Sequence, residues 1–343
     1  MQSINSNSFD FLRFVFATTV AVSHLITLSG VDAFLPYQIY FNSRLAIDGF
    51  FIISGFLIAK SYENSSSIKD YIIRRIKRIV PAYVFVIIVF AFAFSLISSY
   101  GIKDYFVNHQ FWKYLGVNLV FQNYLEPCLP GVFLSNNECA VNGALWTIKL
   151  EEAFYLTVPL IYWLLRKKNI NHILLYSLIF VLSILYFNYF VSINKYRIAK
   201  QLPGAMAFFC FGMLLFKYFN FFLRKKHLFV LPCLFLFFIE QYLFKTHILK
   251  PATFGFLVFY AAYSFSFLKN FGKYGDFTYG IYIYHFPLIQ LFTHLGLYQK
   301  HNPFFVGLLT IAITFVLAVF SWHIIELPNL PKSRQLRQKG LQH

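Results

Sequence analysis

Residues 9 to 28 read FDFLRFVFATTVAVSHLITL, an apolar run that is long enough to cross a membrane as a helix and that contains two ionisable residues, Arg13 and His24. Eleven positions at about 100° per residue bring the two back to nearly the same helix face, separated by roughly 16 Å along the axis. A charged side chain within a membrane span costs from roughly 3 to more than 10 kcal/mol, so it normally faces an interior cavity and has a function. His24 is therefore the first candidate for chemistry.

The composition is that of an integral membrane protein. Hydrophobic residues make up 58% of the chain, aromatic residues 22% and charged residues only 13%, values far from those of soluble globular domains. Apolar runs use up most of the 343 residues and leave no room for a second, soluble domain. We therefore expect one membrane domain over residues 1–330 and a basic cytoplasmic tail over residues 331–343.

The lengths of the apolar runs predict an all-α polytopic membrane protein with about ten transmembrane helices. The predicted spans cover residues 9–29, 45–60, 80–99, 143–165, 171–191, 202–219, 227–244, 250–268, 278–296 and 304–325. With the N-terminus inside, basic residues gather in the cytoplasmic segments, which places both termini in the cytoplasm. This bias also explains most of the net charge of +17 without nucleic acid as a partner. We expect the first span to be retained as an anchor, since no cleavage site follows it.

The four cysteines fall into two groups. Cys210 and Cys233 lie in apolar runs, whereas Cys128 and Cys139 share one long polar loop. A zinc site needs more convergent ligands than this, so we expect no metal. If the loop faces an oxidising compartment, a disulfide between Cys128 and Cys139 is plausible.

The second span, LAIDGFFIISGFLIAKSY, carries small residues that offer a close approach to the backbone. Asp48 opens this span, and Gly49, Ser54 and Gly55 form a small-residue face. Such a face accepts a thin ligand, or it simply packs against another helix. The sequence leaves both interpretations open.

The stretch IKDYIIRRIKRIVPAY places three arginines on one side of a short helix at the cytoplasmic boundary, Arg74, Arg75 and Arg78. Guanidinium groups bind phosphate oxygens bidentately, so the cluster suits a polyphosphate or an anionic lipid head group. An ordinary topogenic cluster is the alternative.

Carboxylates stand near two membrane boundaries. In WTIKLEEAFYL, Lys149 is placed to pair with Glu152, which leaves Glu151 as the carboxylate able to act; the alternative is that both glutamates only orient helices. Near the end of the chain, His285 lies in YGIYIYHFPL and Glu326 precedes a proline at the inner end of the last span. A histidine among aromatic residues is more often a structural donor than a base, so His285 is secondary to His24.

Taken in order, these stretches resemble the membrane-bound acyltransferase type 3 family, in its short form without a fused extracellular domain. The resemblance covers essentially the whole chain and implies transfer of an acetyl or other short acyl group from cytoplasmic acyl-coenzyme A to a hydroxyl of a surface polysaccharide or lipid-linked glycan. His24 matches the essential histidine of the family, Arg13 its partner arginine, and Arg75 and Arg78 its paired arginines. Lys149 departs from the family pattern, which has small or apolar residues there.

The resemblance leads us to assign three sets of site residues. The expected catalytic residues are His24, Arg13, Glu151 and Glu326. The residues expected to bind acetyl-CoA are Arg74, Arg75, Arg78, Gly49, Ser54 and Gly55. The residues expected to bind the acceptor substrate are Asp48, Trp146, Glu152 and His285. The expected partners are acyl-CoA, the glycan acceptor and membrane lipids, in the cytoplasmic membrane of a bacterium.

Two functions of other classes fit the same residues. In a proton-coupled transporter or exporter of a sugar or small metabolite, Arg13, His24, Glu151 and Glu326 would form a proton relay. In a scaffolding subunit of an envelope assembly, the buried charges would only lock helices together. Binding of acetyl-CoA separates the enzyme from the transporter.

Overall fold

The fold is helical throughout the part of the chain that the structure, a computed structural model, describes: residues 4–244 and 246–331. An isolated β-bridge between Cys128 and Ala140 is the only strand-like pairing within those residues. The α-helices, in chain order, are α1 (Phe9–Leu28), α2 (Ser43–Glu63), α3 (Ile68–Ala93), α4 (Ile102–Val107), α5 (His109–Leu119), α6 (Trp146–Lys167), α7 (His172–Ser192), α8 (Tyr196–Ala199), α9 (Leu202–Lys217), α10 (Phe219–Ile239), α11 (Lys250–Ser264), α12 (Thr278–His294), α13 (Leu297–Lys300), α14 (Pro303–Ser321) and α15 (Leu327–Asn329). The predicted helical fold class is confirmed.

Shorter helical segments connect or extend these helices. Turns of 3-10 helix cover Asp32–Tyr40, Phe94–Leu96, Gly143–Leu145, Ser266–Leu268 and Phe271–Tyr274, and π-helix covers Glu240–Phe244 and Trp322–Glu326. The second π segment follows α14 directly and ends at Glu326, one of the predicted site residues.

Seven helical stretches of the described residues are long and apolar enough to cross a membrane. They are Phe9–Leu28, Ser43–Glu63, Ile68–Leu96, His172–Ser192, Tyr196–Lys217, Phe219–Phe244 and Pro303–Asn329. Three further predicted spans coincide with α6, which carries several charges, and with α11 and α12, which have only 15 and 17 residues. The total of ten and the location of the termini stay predictions.

The chain divides into two compact units. Unit 1 contains Met1–Arg13, Leu45–Ile72 and Leu150–Gly272, and unit 2 contains Phe14–Arg44, Ile73–Lys149 and Lys273–His343. Helix α1 contributes its first residues to unit 1 and the rest to unit 2. The predicted basic tail at 331–343 lies outside the described residues apart from Pro331.

In unit 1, glycines allow α2 and α9 to pack with their backbones in contact. A Cβ added at Gly55 would lie 2.0 Å from the carbonyl oxygen of Phe209, and one added at Gly212 would lie 2.1 Å from that of Ile52. Helices approach this closely only where small residues meet. Beside the contact, the rings of Phe154 and Phe209 stack with their centres 4.2 Å apart.

In unit 2, α12 is the central helix. Every residue from Thr278 to Gln290 is buried. Packing against α14 is close as well, since a Cβ at Gly280 would lie 2.6 Å from the Cα of Ala318. Polar groups on this buried part of α12 are therefore stabilised by partners within the protein, because water does not reach them.

The close approach of α2 and α9 predicts a specific loss of stability. Replacing Gly55 with alanine should lower the free energy of unfolding by about 1–3 kcal/mol, because the new methyl group meets backbone that cannot move aside as a side chain does. The matched control is Gly116→Ala on α5, where an added Cβ meets no atom within 4 Å and alanine favours the helix. Thermal unfolding of both purified variants in detergent checks this, and a Gly55 variant as stable as the control would contradict the packing.

Candidate active site

Two histidines meet in unit 2. The Nδ1 atom of His24 on α1 lies 2.8 Å from Nε2 of His285 on α12, and the rings are nearly parallel, with an angle of 10° between their planes. The second nitrogen of His285, Nδ1, lies 3.0 Å from the carbonyl oxygen of Ile281 one turn earlier. His285 is fully buried, at 0% exposure, whereas His24 is partly exposed. Both histidines are predicted site residues, but their contact was not predicted.

Aromatic rings surround the histidine pair. The ring of Phe286 stands edge-on to His24 with the centres 5.3 Å apart, and the ring of Tyr282 contacts His285 at 5.9 Å. The hydroxyl of Tyr282 forms a 2.6 Å hydrogen bond with the hydroxyl of Thr147 at the start of α6. The pair therefore lies in an apolar surrounding with few polar atoms, which strengthens each hydrogen bond it makes.

Pro287 explains why the α5–α6 connection is attached to α12. A proline has no N–H, so it leaves the carbonyl of the residue four positions earlier without its helical donor. That residue is Ile283, and the side-chain amide of Asn142 donates to its carbonyl oxygen at 2.8 Å. Gly143 follows at once, where a Cβ would lie 2.7 Å from the ring of Phe286. The backbone of this connection thus passes directly beside the residues that contact His24.

The rest of the connection, residues 120–142 and here called the disulfide loop, is fixed in two ways. A disulfide joins Cys128 to Cys139, with 5.3 Å between their Cα atoms. The buried side chain of Gln290 on α12 donates to the carbonyl oxygens of Glu138 and Ala140 at 2.6 and 2.8 Å. The same side chain accepts a 3.0 Å hydrogen bond from the amide of Asn136. The disulfide loop is therefore firmly attached to α12 in unit 2.

A buried charge cluster joins three segments of unit 2. Arg78 on α3 makes ion pairs with Asp276, at 2.6 Å, and with Glu326 at the end of the π segment, at 3.2 Å. Its guanidinium carbon lies 5.5 Å from the centre of the Trp322 ring, and Ser321 donates to the other oxygen of Glu326 at 3.3 Å. Two of the predicted site residues, Arg78 and Glu326, are thus brought together, although they were predicted to have separate roles.

Arg74 and Arg75, the other two predicted phosphate ligands, precede this cluster on α3 and are both partly exposed. Arg78 differs from them because it is 8% exposed and faces two carboxylates. A phosphate at Arg78 would have to compete with these two anions. The assignment of all three arginines to the cofactor stays a prediction.

The remaining predicted residues are divided between the units. Unit 1 holds a set on α1, α2 and α6, consisting of Arg13, Asp48, Gly49, Ser54, Gly55, Glu151 and Glu152. There the hydroxyl of Tyr155 donates to Glu151, one helical turn earlier. Gly55 faces the backbone of α9, as the helix-packing interpretation requires. Their expected roles toward the substrates are not tested by these contacts.

Lys149 does not form the ion pair that we expected with Glu152. Its ammonium group lies 4.3 Å from the centre of the Tyr124 ring, a cation–π contact within unit 2. Trp146, predicted to bind the acceptor, starts α6 and is partly exposed. Among the described residues, no group of three or more histidine, cysteine, aspartate or glutamate side chains is arranged to hold a metal ion.

The family is settled by comparison with known proteins. The profile of the family described as "Acyltransferase domain" matches residues 6–323. The chain belongs to this acyltransferase family. Its relatives include the "O-acetyl transferase" of Shigella phage Sf6, 29% identical over 96% of the chain and 97% of the phage protein. No solved structure matches the chain significantly.

Two other relatives align with the acyltransferase over only part of their own length. An uncharacterized protein of Haemophilus influenzae is 35% identical over 46% of this chain and 65% of its own length. The "O-acetyltransferase OatA" of Staphylococcus aureus is 25% identical over 86% of this chain and 53% of its own length. The expected family and enzyme class are confirmed, and the names of the relatives support transfer of acetyl to oxygen.

Sequence analysis missed the partners of the site residues. Asp276 stands in the stretch YGDFTYG, where an acidic residue just before an apolar run was a usable signal for an ion pair with the arginine cluster. Pro287 predicts that the carbonyl at position 283 lacks its helical donor. This was a usable signal that a side chain such as Asn142 would donate to it. Gln290 had no signal in the sequence beyond being polar within an apolar run.

The charge cluster predicts that loss of Arg78 alone strongly destabilises the protein and that neutralising its two partners as well restores much of the stability. Replacing Arg78 with methionine should lower the free energy of unfolding by about 3–5 kcal/mol, because Asp276 and Glu326 stay buried without that cation. A triple variant with Arg78→Met, Asp276→Asn and Glu326→Gln should recover most of the loss, since the two carboxylates that paired with Arg78 are then neutral.

The matched control is Lys113→Met, which removes a 3.1 Å ion pair with Glu126 in which the lysine is 45% exposed. This variant should lose less than about 1 kcal/mol. Thermal or denaturant unfolding of the purified proteins in detergent is the measurement. An Arg78 variant no less stable than the lysine control would rule out the cluster as a structural element.

Proposed function

We propose that this acyltransferase moves an acetyl group from cytoplasmic acetyl-CoA to a hydroxyl of a cell-surface polysaccharide or lipid-linked glycan, with His24 as the general base. The contact between His24 and His285 carries the proposal. His285 holds the His24 ring in one orientation, and that ring is partly exposed in a unit built of long apolar helices. The acyltransferase family and the relatives named as O-acetyltransferases support the reaction class.

In the proposed reaction, one base, His24, both accepts and returns the proton that is transferred. His24 accepts the proton of the acceptor hydroxyl as the oxygen attacks the thioester carbonyl. The bond between the carbonyl carbon and sulfur then breaks, and His24 returns the proton to the departing coenzyme A thiolate. The products are an O-acetyl ester and free coenzyme A, and the histidine is regenerated. Holding both reactants next to His24 supplies the second part of the rate increase.

For the donor, we propose that Arg74 and Arg75 contact the phosphates of coenzyme A at the cytoplasmic end of α3. Both are partly exposed, and guanidinium groups suit phosphate oxygens. Arg78 then serves the same region indirectly, because its ion pairs with Asp276 and Glu326 hold the end of α14 against α3. Arg13, eleven residues before His24 on α1, keeps its proposed role of contacting the carrier from the cytoplasmic side.

For the acceptor, we propose that the disulfide loop and the preceding helix α5 form the outer approach. Trp112 and Tyr124 are each 60% exposed in this region, and aromatic rings of this kind stack on sugar rings. A disulfide in the loop is consistent with an oxidising compartment. This orientation agrees with ten spans and cytoplasmic termini in the cytoplasmic membrane of a bacterium.

The reaction predicts that His24→Ala abolishes acetylation while the protein still inserts in the membrane. A general base contributes about 10²–10⁴-fold to the rate, so residual transfer should be at the limit of detection. The measurement is the O-acetyl content of the surface polysaccharides of a host strain that lacks the gene and expresses each variant. His301→Ala, at an exposed histidine of the same unit, is the matched control and should restore wild-type acetylation.

Full acetylation by the His24 variant would remove that residue from the mechanism. Equal loss of activity and of folded protein in the His24 variant, but not in the His301 control, would favour the scaffolding interpretation instead. A purified protein that binds no acetyl-CoA would favour the transporter.

The proposed orientation predicts the accessibility of the disulfide. In intact cells, a membrane-impermeant maleimide should label Cys128 and Cys139 only after treatment with a membrane-impermeant reductant. The free cysteines, Cys210 and Cys233, are internal controls, since Cys210 is buried. Mass spectrometry of the labelled peptides is the measurement. Labelling of the loop cysteines only after cell lysis would contradict the orientation.

A further inference from the structure

We propose that His285 is a positioning residue that fixes the proton of His24 on Nδ1, so that Nε2 of His24 is the nitrogen that accepts the proton of the acceptor. The proposal rests on the proposed function for the reaction in which that nitrogen acts. The position of the proton itself follows from the contacts of the two rings and of one backbone carbonyl.

The hydrogen bond of His285 to the backbone determines which of its ring nitrogens carries the proton. Its Nδ1 atom lies 3.0 Å from the carbonyl oxygen of Ile281. A carbonyl oxygen only accepts hydrogen bonds, so Nδ1 of His285 must carry a proton and donate it. In the neutral imidazole the other nitrogen, Nε2, then has no proton and can only accept.

The tautomer of His285 in turn determines the tautomer of His24. Its Nδ1 lies 2.8 Å from Nε2 of His285, and one of these two atoms must be the donor. Because Nε2 of His285 is the acceptor, Nδ1 of His24 carries the proton. Nε2 of His24 is left with its lone pair, and within the described part of the chain no hydrogen-bond partner of this atom is found.

The reverse arrangement is unfavourable. If His285 donated from Nε2, its Nδ1 would be unprotonated and would face the Ile281 carbonyl with two lone pairs 3.0 Å apart. The carbonyl also ends the chain of hydrogen bonds, because it does not take up a proton. His285 therefore cannot pass a proton onward, and its contribution is orientation of the His24 ring.

The surroundings of His285 hold this arrangement in place. The ring is 0% exposed, so water does not compete for either nitrogen. The helix that carries it is fixed to the disulfide loop on both sides, by Asn142 at Ile283 and by Gln290 at Glu138 and Ala140. A rotation of the His285 ring would break the bonds of both nitrogens at once.

During the reaction, the two protons of the His24 ring have different fates. The proton from the acceptor hydroxyl arrives on Nε2 and leaves with the coenzyme A sulfur. The proton on Nδ1 stays in its hydrogen bond to His285 throughout, and this bond strengthens while His24 carries a positive charge. Loss of His285 should therefore reduce the rate of the chemical step and leave donor binding unchanged.

The direct test is nitrogen NMR of the full-length protein in lipid nanodiscs, with ¹⁵N in the histidine rings. The His24 signals are identified by their loss in the His24→Ala variant. At neutral pH we expect His24 to be a single tautomer with a proton on Nδ1 and none on Nε2. A wild-type spectrum in which His24 is protonated mainly on Nε2 would overturn the proposal, and this result needs no variant at His285.

Two variants test the role in catalysis. His285→Phe keeps an aromatic ring but removes the acceptor, so His24 should become a mixture of tautomers and kcat should fall about 10–100-fold with KM for acetyl-CoA unchanged. His285→Gln offers an amide oxygen near the position of Nε2 and should restore much of kcat and the single tautomer. Tyr298→Phe, which removes a buried 2.9 Å hydrogen bond to Thr310 in the same unit, is the matched control and should change neither quantity.

The outcomes separate this inference from the proposed function. Acetyl transfer with unchanged kcat and an unchanged His24 tautomer in His285→Phe would overturn the role of His285 and leave the transferase intact. The expected tautomer in a wild-type protein that does not cleave acetyl-CoA would support the geometry and overturn the proposed function. A glutamine variant as inactive as the phenylalanine variant, with both folded, would also count against the proposal.

Discussion

The hydrogen bond between His24 and His285 is the interaction on which the site depends. An unpaired polar group inside apolar helices costs several kcal/mol, so a partner within the protein stabilises each buried polar group of unit 2 that has one. The two imidazoles satisfy one another, and the carbonyl of Ile281 satisfies the remaining nitrogen of His285. The pairing leaves Nε2 of His24 as the nitrogen that we propose acts as the base.

The same constraint explains how the surrounding elements are arranged. Pro287 leaves a carbonyl of α12 without a donor, and Asn142 supplies one, which draws the disulfide loop next to the histidines. Gln290 satisfies backbone carbonyls of that loop in the same way. At another part of the unit, Arg78 joins α3 to Asp276 and Glu326. Polar residues in the apolar helices thus determine which segments come together.

The sequence predicted the elements well and their pairings poorly. Hydrophobic length and helical periodicity were sufficient for the fold class, for α1 and for the selection of His24, because these signals are local. The partners His24 and His285 are 261 positions apart, and Arg78 and Glu326 are 248 apart. No periodicity within one helix contains such a pairing. Lys149 shows the same limit, since its ammonium group lies over the ring of Tyr124 in the disulfide loop and not beside the expected partner on its own helix.

Cleavage of the donor thioester across a sealed membrane tests the central claim most directly. Purified protein in proteoliposomes receives acetyl-CoA on one side and de-O-acetylated surface polysaccharide of the host on the other. The account predicts acetylated polysaccharide on one side and an equal amount of coenzyme A thiol on the other, both lost in a folded His24 variant. Passage of an intact solute without release of coenzyme A, or thiol release that does not depend on His24, would contradict it.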